Sequence, residues 1–363
     1  MKPPFRADHV GSLLRPPALR AARDQADAGE LPNAKLRAIE DKCIRDAVAM
    51  QEAAGLHSIT DGEFRRKSWQ TDFVESISGA AMRAPQVKPK PGEFAPRELV
   101  VEGKLAHAKS IEADNFKFLK SVTARTPKLS MPSPSILLRG GRAHTDAAAY
   151  PDLDRLDADI AAVYRDEMRV LGAAGCTYVT LDDTNLAYLC DPNQRAVWKT
   201  RGYDPDALPR RFARLINNSI KGRPAGMTVC VHLCRGNFQS RWAAEGGYDP
   251  IAEVLFGEIE VDGYFLEYDT ERAGSFEPLR FLPKNKKAVL GVMSSKIGAL
   301  ESKDDLKRRI DAAAKFAPLE NLCLSPQCGF ASSYLGNLVS EDDQKKKLAR
   351  VAETAREVWG TVE

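Results

Sequence analysis

The stretch VCVHLCRGN, residues 229–237, alternates aliphatic residues with two cysteines and a histidine before it ends in Arg-Gly-Asn. In a strand, side chains two apart share a face, so Cys230, His232 and Cys234 point one way and Val229, Val231 and Leu233 the other. Near-continuous burial of this kind is what a parallel sheet covered on both faces demands. The sulfur-bearing face has two readings. A free cysteine is a small buried hydrophobe and a strand histidine can be a satisfied core residue. Alternatively, His232 and Cys234, nearest the strand's carboxyl end, are half of a metal site.

Outward from this strand, similar short runs alternate with longer amphipathic stretches, the pattern of βα units. Eight strands are predicted, at 5–12, 56–62, 127–136, 176–182, 226–234, 261–268, 288–295 and 321–327. Helical spacing covers 33–54, 153–174, 204–220, 303–316 and 341–359, with Gly175 placed to stop the second of these. Eight alternating units predict an α/β fold, a (β/α)8 TIM barrel taking up residues 1–363 as a single domain. One region breaks the rhythm. QVKPKPGEFAPRELVVEGKLAH, 86–107, is Pro-rich and then alternates, and it reads as a hairpin insertion between strands two and three.

Composition narrows the partners. The 53 basic and 50 acidic residues are well mixed, for a net charge of +3, so no basic footprint for nucleic acid stands out. No window of 18 uncharged apolar residues occurs, and the start MKPPFRADHVGS has no apolar signal region, so neither a membrane span nor a secretory leader is expected. The location expected by default is cytoplasmic. Seven cysteines without a secretory signal argue for free thiols or metal ligands rather than a disulfide framework. The partners are therefore small molecules; the sequence carries no indication of oligomeric state.

Barrels of this type place their chemistry at the carboxyl ends of the strands. Taken in order, those ends hold His9 and Ser12, Asp61 and Glu63, Ser133 and Ser135, Asp182 and Asp183, His232 and Cys234, Glu267 and Asp269, Ser294 to Lys296, and Cys328. Zinc takes about four ligands from Cys, His and carboxylate. YFLEYD supplies Glu267 and SPQCGF supplies Cys328, and in a closed barrel both strand ends face the opening that His232 and Cys234 also face. Cys230 and Cys323 lie deeper along their strands and are assigned to the core. Cys43, Cys176 and Cys190 have no ligand partner at useful spacing.

These residues resemble the catalytic barrel of cobalamin-independent methionine synthases. The likeness covers DHVGSLLRP at the amino end, TDGEFRR at 60–66, TLDDTN at 180–185, VHLCRGN, FLEYDTERAG and LSPQCGFASS, in one order from about residue 5 to 335. It implies a zinc ion held by His232, Cys234, Glu267 and Cys328, and a homocysteine gripped at its amino and carboxylate ends by Ser12, Glu63 and Asp182. His9, on the first strand, is a further candidate contact to substrate. The resemblance also implies a methyl donor of the 5-methyltetrahydrofolate type and methionine as product. The larger family members place a histidine after the seventh strand as candidate acid. Here VMSSKIGALES places Lys296 nearest that position as the catalytic candidate.

The ligand set suits that chemistry. Two thiolates and a carboxylate over-neutralise Zn2+, so the ion is a poor acidifier of water but a good holder of a substrate thiolate. A thiol with pKa of about 8.5 is only about 3% ionised at neutral pH, so holding it as thiolate is worth roughly 30-fold, or about 2 kcal/mol. Placement of the donor and protonation of its leaving nitrogen must supply the rest. Trp69, Arg65, Arg66, Arg139 and Tyr334 are candidate walls of the donor site. Three alternatives carry the same residues: opening of an epoxide by coenzyme M, methyl transfer from a corrinoid protein, and a non-catalytic zinc- or thiol-binding relative. Acidic Glu63 and Asp182 favour a substrate with an amino group over a sulfonate.

Overall fold

In chain order the strands are β1 (Ser58–Ile59), β2 (Ser78–Arg83), β3 (Glu98–Ala106), β4 (Thr126–Pro127), β5 (Leu129–Pro132), β6 (Tyr178–Asp183), β7 (Thr228–Leu233), β8 (Gly263–Glu267), β9 (Lys287–Met293) and β10 (Leu322–Pro326). The computed structural model describes residues 2–84 and 97–363. Strands β5 to β10 form one parallel sheet whose spatial order follows the sequence. β1 pairs in parallel with β4, and β4 runs into β5 with Lys128 N donating to Ile59 O at 2.8 Å.

Segment 5–12 closes the ring. Ala7 bridges Leu324 of β10 in parallel, Asp8 N donates to Leu324 O at 3.0 Å, and on the other flank Leu13 N donates to Gly62 O at 3.1 Å. The result is a (β/α)8 barrel, as expected. The first position differs from a full strand because Asp8 diverts its backbone. Its carboxylate accepts the N–H groups of Phe5 and His9, so these donors are lost to a ladder.

The helices Asn33–Ala53, Leu153–Ala173, Leu208–Ile220, Lys303–Ala314 and Glu341–Trp359 occupy the predicted stretches. The Asp152 carboxylate caps the second of these by accepting Asp154 N, and Gly175, at φ 89°, lets the chain leave it for β6. The antiparallel hairpin β2–β3 starts earlier than expected, at Ser78. Its first strand, SGAAMR, has no β-branched residue to announce it, yet Ala80 and Met82 are buried against Val101 and Leu99. Residues 86–96 of the expected insertion lie outside the described residues.

Two apolar layers position the site. One lies between sheet and helices; the other, Val10, Tyr178, Cys230, Phe265, Val289 and Cys323, fills the barrel interior. Cys230 and Cys323 are thus core atoms, as their depth along the strands indicated. Within that interior sits a buried ion pair. Lys128 Nζ lies 3.0 Å from Asp8 Oδ1 and 4.0 Å from the centroid of the Phe265 ring, while Tyr178 donates to Asp8 Oδ2 at 2.8 Å. This apolar floor, with its one satisfied charge pair, leaves the strand ends above it as the place where polar groups gather.

Candidate metal centre

Parallel register brings the polar strand ends to one level. Asp182 pairs with His232 across β6 and β7, His232 pairs with Phe265, and Glu267 stands two residues further along β8. Cys234 lies just past β7 and Cys328 just past β10. One ligand atom from each of His232, Cys234, Glu267 and Cys328 falls within 4.8 Å of all the others, and all four residues are buried. The Sγ atoms of Cys234 and Cys328 are 3.5 Å apart, near the roughly 3.8 Å edge of a tetrahedron with zinc–sulfur bonds of about 2.3 Å. Both ring nitrogens of His232 are buried with no hydrogen-bond partner, which a buried imidazole tolerates poorly unless an ion or ligand takes one of them. Two thiols, an imidazole and a carboxylate at this spacing fit a tetrahedral zinc site.

The electrostatics agree with that donor set. Hydrogen bonding from Cys234 holds the Cys328 thiol well below its usual range against the effect of burial, with His232 helping; the same contact and burial push Cys234 up. Burial pushes the Glu267 carboxyl up, but Lys296, Arg272, Arg235 and His232 outweigh it and bring it down to about 2. Glu267 is an anion at neutral pH.

Beside the cluster opens a cavity of about 570 Å3. Ser12, Asp182, His232, Cys234 and Cys328 line it, so three of the four cluster residues and two of the expected substrate residues share one space. Asp182 Oδ1 and Glu63 Oε1 are buried without a partner, and Glu63 ion-pairs with Arg66. Burial lifts the Asp182 carboxyl to about 6 against the pull of His232 and Arg66. Glu63 adopts φ 58°, a left-handed conformation unusual for a side chain of its size, in the turn after β1. Two glycines make room: a Cβ on Gly11 would sit 2.7 Å from Glu63 Oε1, and one on Gly329 would run into Ser12 Oγ.

Four expected residues are absent from the cavity wall: Glu63, which stands against the lining residue Arg66, and three that stand elsewhere. The His9 ring, buried below the site, contacts Ser58 O at 3.3 Å through Nε2 and does not line the cavity. Lys296 is buried behind the cluster, its Nζ 3.4 Å from Gly236 O, and it too is absent from the cavity wall. As placed, it offers its charge to Glu267 and Cys234 rather than a proton to a bound donor. Arg65 pairs with Glu40 and Asp41 at 3.1 and 2.7 Å, facing away, whereas Trp69, Arg66, Arg139 and Tyr334 do line the cavity.

The structure adds residues to which the sequence reading gives no role. Ser133, with its Oγ buried and unpartnered, was at a strand end but had no role assigned. Asn237 donates to Gly329 O at 3.0 Å and ties the β7 loop to the Cys328 loop. Arg235, fully buried, donates to Glu267 O at 2.9 Å and to the Tyr248 hydroxyl at 2.7 Å. Arg272 lies within FLEYDTERAG, and its signal is an arginine five residues past the carboxylate in an otherwise buried run.

Comparison with known proteins places the chain among relatives. A sequence-family profile described as the catalytic domain of cobalamin-independent synthase matches residues 5–340. The uncharacterised protein YxjH of Bacillus subtilis is 43% identical over 362 residues, covering 99% of this chain and 96% of that protein. A crystal structure from Listeria monocytogenes, provisionally named a vitamin-B12-independent methionine synthase, is 35% identical, covers 99% of both chains and superposes with a TM-score of 0.81. A B12-independent methionine synthase from Shewanella sp. W3-18-1, solved in complex with selenomethionine, is 18% identical, covers 97% of both chains and shares the fold with a TM-score of 0.73.

Proposed function

The chain belongs to the cobalamin-independent synthase catalytic-domain family, methyltransferases of the methionine synthase type, and from that premise we propose that it transfers a methyl group from 5-methyltetrahydrofolate, or a related donor, to the thiol of homocysteine, giving methionine. The observation that carries this reading is the buried quartet His232, Cys234, Glu267 and Cys328, three of whose members line a cavity that Asp182, with its unpartnered carboxylate oxygen, also lines.

In this reading the four residues hold zinc, which when bound supplies the Lewis acidity that keeps a substrate thiol ionised at neutral pH. The protein's own groups do the rest. Asp182 and Glu63 accept the substrate ammonium, and Ser12 Oγ, kept accessible by Gly329, takes its carboxylate end. Glu63 is buried and Asp182 has one buried oxygen, so an ammonium satisfies charges that water reaches poorly. The sulfur is thereby left at the quartet, facing the rest of the cavity.

That remainder is walled by Trp69, Tyr188, Phe238, Trp242 and Tyr334, with Arg66, Arg97, Arg139 and Arg241 among them. Flat aromatic walls with several cations match a donor that has a planar ring system and an anionic tail. The same walls exclude water from the path between donor and sulfur, and hold the two reacting atoms in line. Selenomethionine, found with the Shewanella protein of the same fold, has the chemistry of the expected product.

The test is direct. Zinc-loaded protein incubated with homocysteine and 5-methyltetrahydrofolate is expected to yield methionine. Product from homocysteine with a methylcorrinoid but not with the folate would replace the donor, and no alkylated thiol from any donor would overturn the reading.

A further inference from the structure

Glu267 is held from both sides. Its Oε1 accepts the backbone N–H of Arg235 at 2.9 Å, and its Oε2 accepts Arg272 Nη2 at 2.8 Å, with Gln327 Nε2 3.5 Å away. The same Nη2 reaches Asp269 Oδ1 at 2.8 Å. The Arg272 side chain is buried, its Nε and Nη1 have no hydrogen-bond partner, and its guanidinium carbon lies 5.0 Å from the centroid of the Trp242 ring. Trp242 lines the cavity and is 52% exposed. The rest of the quartet is not held in this way. The His232 nitrogens are unpartnered, the two sulfurs face one another, and Asn237 Nδ2 approaches Cys328 Sγ only to 3.9 Å.

A carboxylate that shares its oxygens with a buried guanidinium has less electron density to give a metal than a free one, and the nearby positive charge opposes a divalent ion as well. The quartet is therefore unequal by construction. We propose that Arg272 is a positioning residue that makes Glu267 the exchangeable member of the four. It holds the carboxylate where an incoming substrate sulfur can take its place, and it keeps that charge paired once displaced. Trp242, stacked on the guanidinium, ties this hold to the cavity mouth, so a donor that packs on Trp242 also steadies Arg272. Charge balances in the exchange, because an anionic sulfur replaces an anionic carboxylate and the thiol proton leaves to water. This inference rests on the zinc and homocysteine reading above.

The experiment uses the full-length chain with Arg272→Met, Arg272→Lys and Trp242→Ala, and measures two constants in each. One is zinc affinity by chelator competition; the other is homocysteine binding to the zinc-loaded protein by calorimetry. In Arg272→Met, zinc is expected to be held as tightly as in the parent or up to about tenfold more tightly, while homocysteine binds at least about tenfold more weakly. Arg272→Lys, which keeps the charge but loses the planar guanidinium whose Nη2 reaches both Glu267 and Asp269, falls between, and Trp242→Ala weakens homocysteine less. A parallel loss of zinc and homocysteine affinity would reduce Arg272 to a structural support and overturn the proposal; unchanged homocysteine binding would overturn it too. If Arg272→Met does not fold, Arg272→Lys is read by the same two constants. A parent protein that binds zinc but no homocysteine would sink the substrate reading instead, and the zinc constant alone would then decide whether Arg272 weakens the hold of Glu267.

Discussion

Cys234 Sγ and Cys328 Sγ lie 3.5 Å apart although 94 positions separate them in the chain. Closure of the barrel produces that proximity, since β7 and β10 end at the same rim. The expected outcome of Cys328→Ser or Cys234→Ser is a fall in zinc affinity of at least about 100-fold, because a hydroxyl replaces a thiolate. Cys230→Ala, which alters only the barrel interior, should retain zinc at one ion per chain and lose some stability instead. Metal analysis after dialysis against a chelator separates the two, and equal zinc retention in all three variants would remove the quartet from consideration.

Asp182 and Glu63 carry buried oxygens without partners, which suits a substrate ammonium. Glu63→Gln and Asp182→Asn are each expected to raise the KM for homocysteine by about 10- to 100-fold, equivalent to about 1.4–2.7 kcal/mol, while zinc content stays at the parent level. Steady-state kinetics with zinc analysis of the same samples checks this. A loss of zinc equal to the loss of activity would place these acids in the metal site rather than the amine site.

Arg139, whose guanidinium carbon lies 5.3 Å from the centroid of the Tyr188 ring, and Trp69 both line the outer cavity. Arg139→Ala and Trp69→Ala should raise the KM for the folate donor by about tenfold and leave that for homocysteine within twofold. Kinetics with each substrate varied in turn decides it. An effect confined to homocysteine would move the donor elsewhere.

His9 gives a pH dependence with a definite sign. Burial, with Lys128 adding to it, lowers its imidazole from 6.5 to about 4. The folded state therefore binds fewer protons than the unfolded chain between those values, so stability present at pH 7 is lost as pH falls from 6.5 towards 4. One such group contributes about 1.4 kcal/mol per pH unit, or about 2 kcal/mol between pH 6.5 and 5. Urea unfolding of the zinc-free protein should show that extra loss in the parent and not in His9→Asn. Parallel curves for the two would contradict it.

Much of the barrel was legible because its parallel strands, buried on both faces, read as short apolar runs between glycines and amphipathic helices. The zinc-type residues were legible for the same reason, since the end of a strand and the parity of its side chains decide which of them face the mouth. Loop directions were not. Lys296 turns behind the cluster to Gly236 O and His9 turns down to Ser58 O, and nothing in spacing alone distinguishes those rotations from ones into the cavity. Arg272 escaped notice because its importance lies in a contact to Glu267, not in its own position on a strand. The first barrel position and the start of the hairpin were obscured by local chemistry: an aspartate that takes up backbone donors in one, and small residues in the other.

The most direct test is X-ray absorption at the zinc edge of the zinc-loaded protein, with and without homocysteine. The expected spectrum without substrate has two sulfur and two nitrogen or oxygen neighbours, from Cys234, Cys328, His232 and Glu267. With homocysteine a third sulfur replaces the oxygen. A first shell without sulfur, or one that homocysteine leaves unchanged, would contradict the assignment of this site to a thiol substrate.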